Sequence, residues 1–190
     1  MSKNKIIDAA VKLFSELGYH RTSMDDISRE AGVAKGTLYY HFSGKGELFE
    51  TIVTYGYTML MDRIKVILQE DQPTDLQIRA IVHKHLELFL QFSELVHIIS
   101  NETTNGIEPD ILQRIRDLKQ GYIAFLSGVL EEGIKEGALK PVNSELAASG
   151  MLGMLDSLCV QYVGKEGNWS LEELYETANA FILPALLKDH

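Results

Sequence analysis

The chain has 190 residues, 45% of them hydrophobic, with 4 prolines and a net charge of −9. That length can hold a small unit and a larger core beside it, and the composition suits a helical globular protein. A single cysteine, Cys159, excludes an internal disulfide and fits a reducing, cytoplasmic setting, while the acidic balance speaks at first against a nucleic-acid partner.

The spacing predicts helices throughout. Over 3–17, Ile6, Ile7, Ala10, Leu13, Phe14 and Leu17 form one apolar stripe, with Gly18 as its stop. The stretch is amphipathic and interrupted by Asp8 and Lys12, so it does not read as a signal peptide. No apolar run is expected to reach the ~20 residues of a membrane span. Residues 22–49, TSMDDISREAGVAKGTLYYHFSGKGELF, read as two short helices joined by a tight turn, then the start of a third. Thr22 and Ser23 offer N-cap oxygens to the first, and Asp25 and Asp26 in its first turn suit the helix dipole. Ile27 and Ala31 face inward together, Gly32 ends the helix in a left-handed conformation, and Val33 plugs the corner. Leu38 and Phe42 repeat the i, i+4 spacing on the second short helix. Lys35, Gly36, Thr37, Tyr39, Tyr40 and His41 are left for its outer faces, the kind of surface that docks in a DNA major groove. Gly36 costs helix propensity, but it lets the backbone come close to another chain such as a phosphate strand. Lys45 and the amides from Gly44 to Glu47 form a second candidate phosphate site.

A long proline-free helix is expected over 45–71. Leu48, Phe49 and Ile52 belong to the small unit and Leu60, Ile64, Ile67 and Leu68 to the larger one, so one rod spans both. Thr74 or Asp75 caps a helix over 76–92, and a shorter helix is expected over 94–101. NETTNGIEP reads as a loop, with Pro109 in the first turn of a helix that reaches about 136 and closes at Gly137 and Pro141. Ser144 caps a helix to about 163, GKEGN is a turn, and Ser170 with Glu173 makes a capping box for the last helix, which Pro184 should kink or fray. The small residues Ala147, Ala148, Ser149, Gly150 and Gly153 allow close helix approach, and Leu171, Leu174, Tyr175, Ala178, Phe181, Ile182 and Ala185 give the last helix a broad apolar face. By pattern alone these two helices either form a dimer interface or cover a monomeric core.

GVAKGTLYYHF, preceded by GYHRTSMDDIS and followed by GKGELF, closely resembles the N-terminal domain of the tetracycline-repressor (TetR) family over about the first 50 residues. Gly46 stands where the family more often has an acidic residue, and Ser28 where it more often has alanine. The resemblance implies an all-α fold of about nine helices. A three-helix helix-turn-helix domain (1–47) would precede a helical ligand-binding and dimerisation domain (48–190). It implies a homodimer through about 144–163 and 171–188 that represses transcription and leaves double-stranded operator DNA when a small molecule binds. Two reading helices on successive major grooves, about 34–36 Å apart, require a palindromic operator.

The charge split bears on this reading. Residues 1–50 hold seven basic and seven acidic residues, while 51–190 hold eleven against twenty. The DNA-reading unit is therefore neutral, and Lys3, Lys5, Arg21, Lys35 and Lys45 would have to share one face. Lys35 and Thr37 are candidates for base edges or flanking phosphates, and Tyr39 for a thymine methyl or a phosphate. Tyr40, His41 and Lys45 are candidates for phosphates, as are Thr22 and Ser23 through hydroxyl or amide. The alternative is that Tyr39 or Tyr40 is a core aromatic with its hydroxyl at the surface.

Candidates for a ligand pocket are Tyr57, Met61, Phe89, Phe92, Ile99, Tyr122, Phe125, Met154 and Tyr162, any of which could instead be plain core. Glycines 121, 128 and 133 thin one face of a long helix, and a hydrophobic or amphipathic inducer is expected. His83 and His85, two apart, make a poor metal pair, and His83, His85 and His97 suit single polar contacts or surface positions. No metal, cofactor or membrane partner is expected. No nucleophile elbow, P-loop or zinc-ligand spacing points to catalysis. The other readings are a DNA-binding regulator without an inducer, or an activator.

Overall fold

Helix α1, Ser2–Leu17, buries Ile6, Ala9, Ala10, Leu13 and Phe14 and ends where Gly18 turns left-handed at φ +82°. The apolar stripe does not extend to Leu17, which is 40% exposed. The structure is a computed structural model describing residues 2–91, 107–164 and 169–188. Among them stand seven further α-helices: α2 (Met24–Glu30), α3 (Lys35–His41), α4 (Lys45–Gln69), α5 (Thr74–Gln91), α6 (Pro109–Lys135), α7 (Ser144–Gly164) and α8 (Leu171–Leu186). No strand occurs among the described residues; a single bridge pairs Leu139 with Leu187. The helix expected over 94–101, most of the NETTNGIEP loop and residues 165–168 of the GKEGN turn lie outside the described residues.

The chain divides into two compact units: Met1–Gly56 with Phe92–Leu118, and Tyr57–Gln91 with Lys119–His190. In the first, α1, α2 and α3 pack on one another. Ser23 alone caps α2: its hydroxyl accepts from the Asp26 amide while the Asp26 carboxylate accepts from the Ser23 amide. The Ser23 hydroxyl, and then the Ser23 amide, donate to the Asp26 carboxylate and hold its pKa below the ordinary range. Gly32 then adopts φ +63°, and the Val33 amide returns to the Ser28 carbonyl, closing the turn into α3. Ile27, Leu38 and Phe42 are buried beneath it. Phe14, Tyr19 and Phe49 form a ring cluster with centroids 5.0–6.3 Å apart. Burial pushes the Tyr19 phenol up to about 12.

Gly46 has a structural reason. A Cβ there would lie 2.7 Å from Cδ1 of buried Ile111 and closer still to the Glu108 carboxylate. The bare Cα lets the start of α6 come against the first turn of α4, where Arg114 also bonds Glu50 at 2.8 Å.

In the second unit, α5 packs on α7 and α8, and α7 on α8. The expectation that no run reaches span length is corrected by α7. Ser144–Val163 is long and apolar enough by length and composition, with mean hydropathy 1.3. The packing accounts for this: one side of α7 faces α5 and α8, and Asp156 in its middle is bonded to Lys119 of α6 at 2.7 Å. Yet only 33% of the stretch is buried, so much of its apolar surface faces outward. The α8 capping box forms as expected from Ser170 and Glu173. Pro184 leaves the helix running two residues further, to Leu186. Gly137 at φ +79° ends the turn after α6, and Gly133 makes room for Leu139, whose Cδ1 would lie 2.7 Å from an added Cβ.

Candidate nucleic-acid interface

Helix α3 presents its outer residues to solvent. Tyr39 is 51% and Tyr40 85% exposed, so neither is a core aromatic. A Cβ on Gly36 would meet nothing within 4 Å. Lys35 is exposed and ion-paired with Asp25, and Thr37 is half-buried. Such an exposed pair contributes little, about 0–1 kcal/mol, so Lys35 is free to change partners. His41 meets the Ser2 hydroxyl at 2.8 Å, which ties the end of α3 to the start of α1.

Two of the candidate phosphate contacts bond protein carbonyls. Thr22 is 1% exposed, and its hydroxyl donates to the Leu13 and Gly18 carbonyls at 3.1 and 2.9 Å. It holds the α1–α2 reversal together, and its hydroxyl is not available to a phosphate. The Lys45 ammonium donates to the carbonyls of Tyr19 and Thr22 at 2.8 and 2.9 Å and lies over the Tyr19 ring. Burial lowers its pKa below that of an ordinary lysine. Nor do the basic residues form one free face. Arg21 donates from Nε to the Leu17 carbonyl, and Lys3 lies over the Phe42 ring. What the fold does bring together is an open recess of about 490 Å³ between the α1–α2 turn and α3, lined by Arg21, Ser23, Asp25, Tyr39 and Lys45 among others. Thr22→Val is expected to lower stability by about 1–2 kcal/mol in urea unfolding, from one buried and one part-buried carbonyl losing a donor. DNA affinity of the folded fraction should be unchanged; a selective loss of affinity would return the hydroxyl to the interface.

The second unit gathers some of the pocket candidates and separates others. Phe89 and Tyr122 stack on His85, and Tyr57 and Phe125 pack on Tyr122 in turn. The Tyr57 and Tyr122 rings lie 5.4 Å apart, Phe89 stacks on His85 at 4.0 Å, and Phe125 stacks on Tyr122 at 6.5 Å. His85 is completely buried, and its Nδ1 meets the Tyr122 hydroxyl at 3.2 Å. Sequence reasoning missed Asp156 and Lys119 beside it; the signal was an aspartate inside an apolar helix. Met154 and Tyr162 belong elsewhere. They line two grooves along α7 and α8, of about 480 and 500 Å³, one with Leu146 and Phe181, the other with Leu158 and Trp169. Met61 is half-buried, and Phe92 and Ile99 lie outside the described residues, as does His97. His83 stacks on Tyr175 at 4.1 Å near the surface. Gly121 and Gly128 face open space on α6. Cys159 is buried, which pushes its thiol up to about 12. Among the described residues no group of three His, Cys, Asp or Glu side chains comes together to hold a metal.

Two family profiles match this chain. That of bacterial regulatory proteins of the tetR family covers residues 6–52, and that of the tetracyclin repressor-like C-terminal domain covers residues 71–186. The chain is 31% identical to the HTH-type transcriptional regulator YhgD of Bacillus subtilis over 91% of its own length and 93% of that protein's. It is 27% identical to the fatty acid metabolism regulator protein of Bacillus subtilis, over 90% and 88% of the two chains. The crystal structure of the transcriptional regulator FadR from Bacillus subtilis in complex with stearoyl-CoA shares the fold, with a TM-score of 0.81 at 24% identity, over 96% of this chain and 98% of that one. With a repressor-like C-terminal profile spanning more than half its length behind an exposed reading helix, the chain belongs to the TetR family of DNA-binding transcriptional regulators.

Proposed function

We propose that this protein is a cytoplasmic repressor that binds a palindromic operator as a homodimer and leaves it when a small hydrophobic or amphipathic ligand binds. Residues 1–47 are assigned DNA reading, and 48–190 ligand binding and dimerisation. The observation that carries DNA reading is the outer face of α3, where Lys35, Gly36, Tyr39 and Tyr40 stand open with no task in the core. Thr37 and Tyr39 are assigned to base edges. Lys35, Tyr40, His41 and the Ser23 amide are assigned to phosphates, which position without reading sequence. Lys45 acts indirectly, by holding the loop that carries Ser23.

Dimerisation through α7 and α8 is supported by their outward apolar residues. Leu146 is 72% and Phe181 67% exposed, and both border the same groove. An apolar patch of this kind marks an interface. Ligand control is supported by the aromatic cluster that includes His85, Phe89, Tyr122, Tyr57 and Phe125. Two similar regulators, one of fatty acid metabolism and one holding stearoyl-CoA, point to a long acyl chain as the ligand's apolar part.

Selection of bound DNA from a random pool at two salt concentrations tests the reading. A palindromic motif is expected, bound less tightly at the higher salt. Lys35→Ala should reduce the slope of log affinity against log salt by about one per protomer. Enrichment of no sequence by ligand-stripped protein would remove the operator reading, and an unchanged slope would remove Lys35 from the phosphate set.

A further inference from the structure

Helix α5 buries His85 completely, yet one of its ring nitrogens is left without a hydrogen-bond partner. Nδ1 meets Tyr122, while Nε2 lies 3.8 Å from Oδ1 of Asp156, too far for a hydrogen bond. That carboxylate oxygen is buried and unpartnered too; the other, Oδ2, accepts from Lys119 at 2.7 Å. Two adjacent orphans are costly in a core, where nearly every polar atom is satisfied. They have opposite character. Burial lowers the pKa of His85, so the ring is neutral and carries one N–H. The adjacent carboxylate favours that proton on Nε2, and the Tyr122 hydroxyl then donates to Nδ1. The outcome is one donor and one acceptor facing the same point.

We propose that His85 and Asp156 read a hydroxyl group on the ligand, which accepts from His85 Nε2 and donates to Asp156 Oδ1. This rests on the second unit being the ligand-binding part. An oxygen about 2.8 Å from each atom fits over a 3.8 Å gap. A hydroxyl both donates and accepts. An ether or a thioester carbonyl only accepts and leaves Asp156 unmet, whereas an ammonium only donates and leaves His85 unmet. Phe89 against His85 and Tyr57 beside Tyr122 supply apolar walls for the hydrocarbon next to that hydroxyl. Lys119 balances the Asp156 charge and is itself part-exposed, so the cluster reaches solvent at that end. A site with unmet donor and acceptor discriminates strongly against analogues that lack the matching group.

The test is calorimetric titration of the full-length protein with 1-octanol and with octyl methyl ether, which differ in the donor. Wild type is expected to bind the alcohol at least about tenfold more tightly. His85→Phe should abolish that preference. If His85→Phe does not fold, Asp156→Leu serves the same purpose, since it removes the acceptor. Equal affinities in wild type, or a preference that survives both substitutions, would overturn the hydroxyl proposal and leave the ligand domain standing. So would binding of stearoyl-CoA with neither octyl probe bound, or a crystallographic water on the pair that octanol does not displace. Failure of the alcohol, the ether and stearoyl-CoA alike would overturn the ligand-domain reading and this proposal with it.

Discussion

Alanine in place of Phe14 is expected to cost about 3–5 kcal/mol, a large share of the ~5–15 kcal/mol that holds a domain folded. Phe14 is completely buried and touches both other rings of the small cluster, Tyr19 at 5.3 Å and Phe49 at 6.3 Å. Those three rings join α1, the loop after it and the first half of α4. Two helices of the three-helix motif are short, α2 and α3 having 7 residues each. Helices of that length do not persist on their own and depend on the shared core. Losing Phe14 therefore removes apolar burial and the platform for α3 together. Urea unfolding followed by helix dichroism checks the magnitude. A loss under about 1 kcal/mol would mean that the cluster refills the space, contrary to a close-packed core.

Gly36→Glu should separate stability from function. The position is exposed, helical and open around its missing Cβ, so the substitution removes a poor helix former at no steric cost. The protein should melt at an equal or slightly higher temperature. Operator affinity should fall by roughly two orders of magnitude, since a carboxylate is placed where a phosphate strand approaches and the loss occurs on both heads of the dimer. Gly36→Ala, uncharged and small, should fall between the two. A Gly36→Glu protein that binds operator normally would show that α3 does not bring its backbone to DNA at this point.

Much of the fold follows from local chemistry that is visible in the residues. Gly18, Gly32 and Gly137 end their elements with positive φ, and Ser23 and Ser170 build the boxes their spacing to Asp26 and Glu173 calls for. Exposure on α3 was legible too, because Leu38 and Phe42 leave the rest of the helix no core to face. Direction was not. Lys45 and Thr22 have the right chemistry for phosphate, but their polar atoms turn to carbonyls that appear only once α1, its loop and α4 meet. Met154 and Tyr162 could not be told from pocket residues because α7 is apolar on nearly every side, so its periodicity marks no single inner face. The Asp156–Lys119 contact joins residues 37 apart, beyond any local pattern. Gly46 looked like a weak point in a helix start. Its cause lay more than 60 positions away, in Ile111.

The pairing of Lys35 with Asp25 has a consequence for how the protein would search a chromosome. The lysine assigned to a phosphate carries its own counterion on α2. To touch DNA it must first give up that carboxylate, so each contact at a random sequence returns up to about 1 kcal/mol less than an unpaired lysine would give. The ion condensed on the phosphate is still released, and the salt sensitivity of binding survives. Together with the acidic excess in residues 51–190, this keeps the chain loosely held on most of the genome. Residence then depends on sites where Thr37 and Tyr39 also find partners, and discrimination is gained by lowering the background rather than by raising the peak.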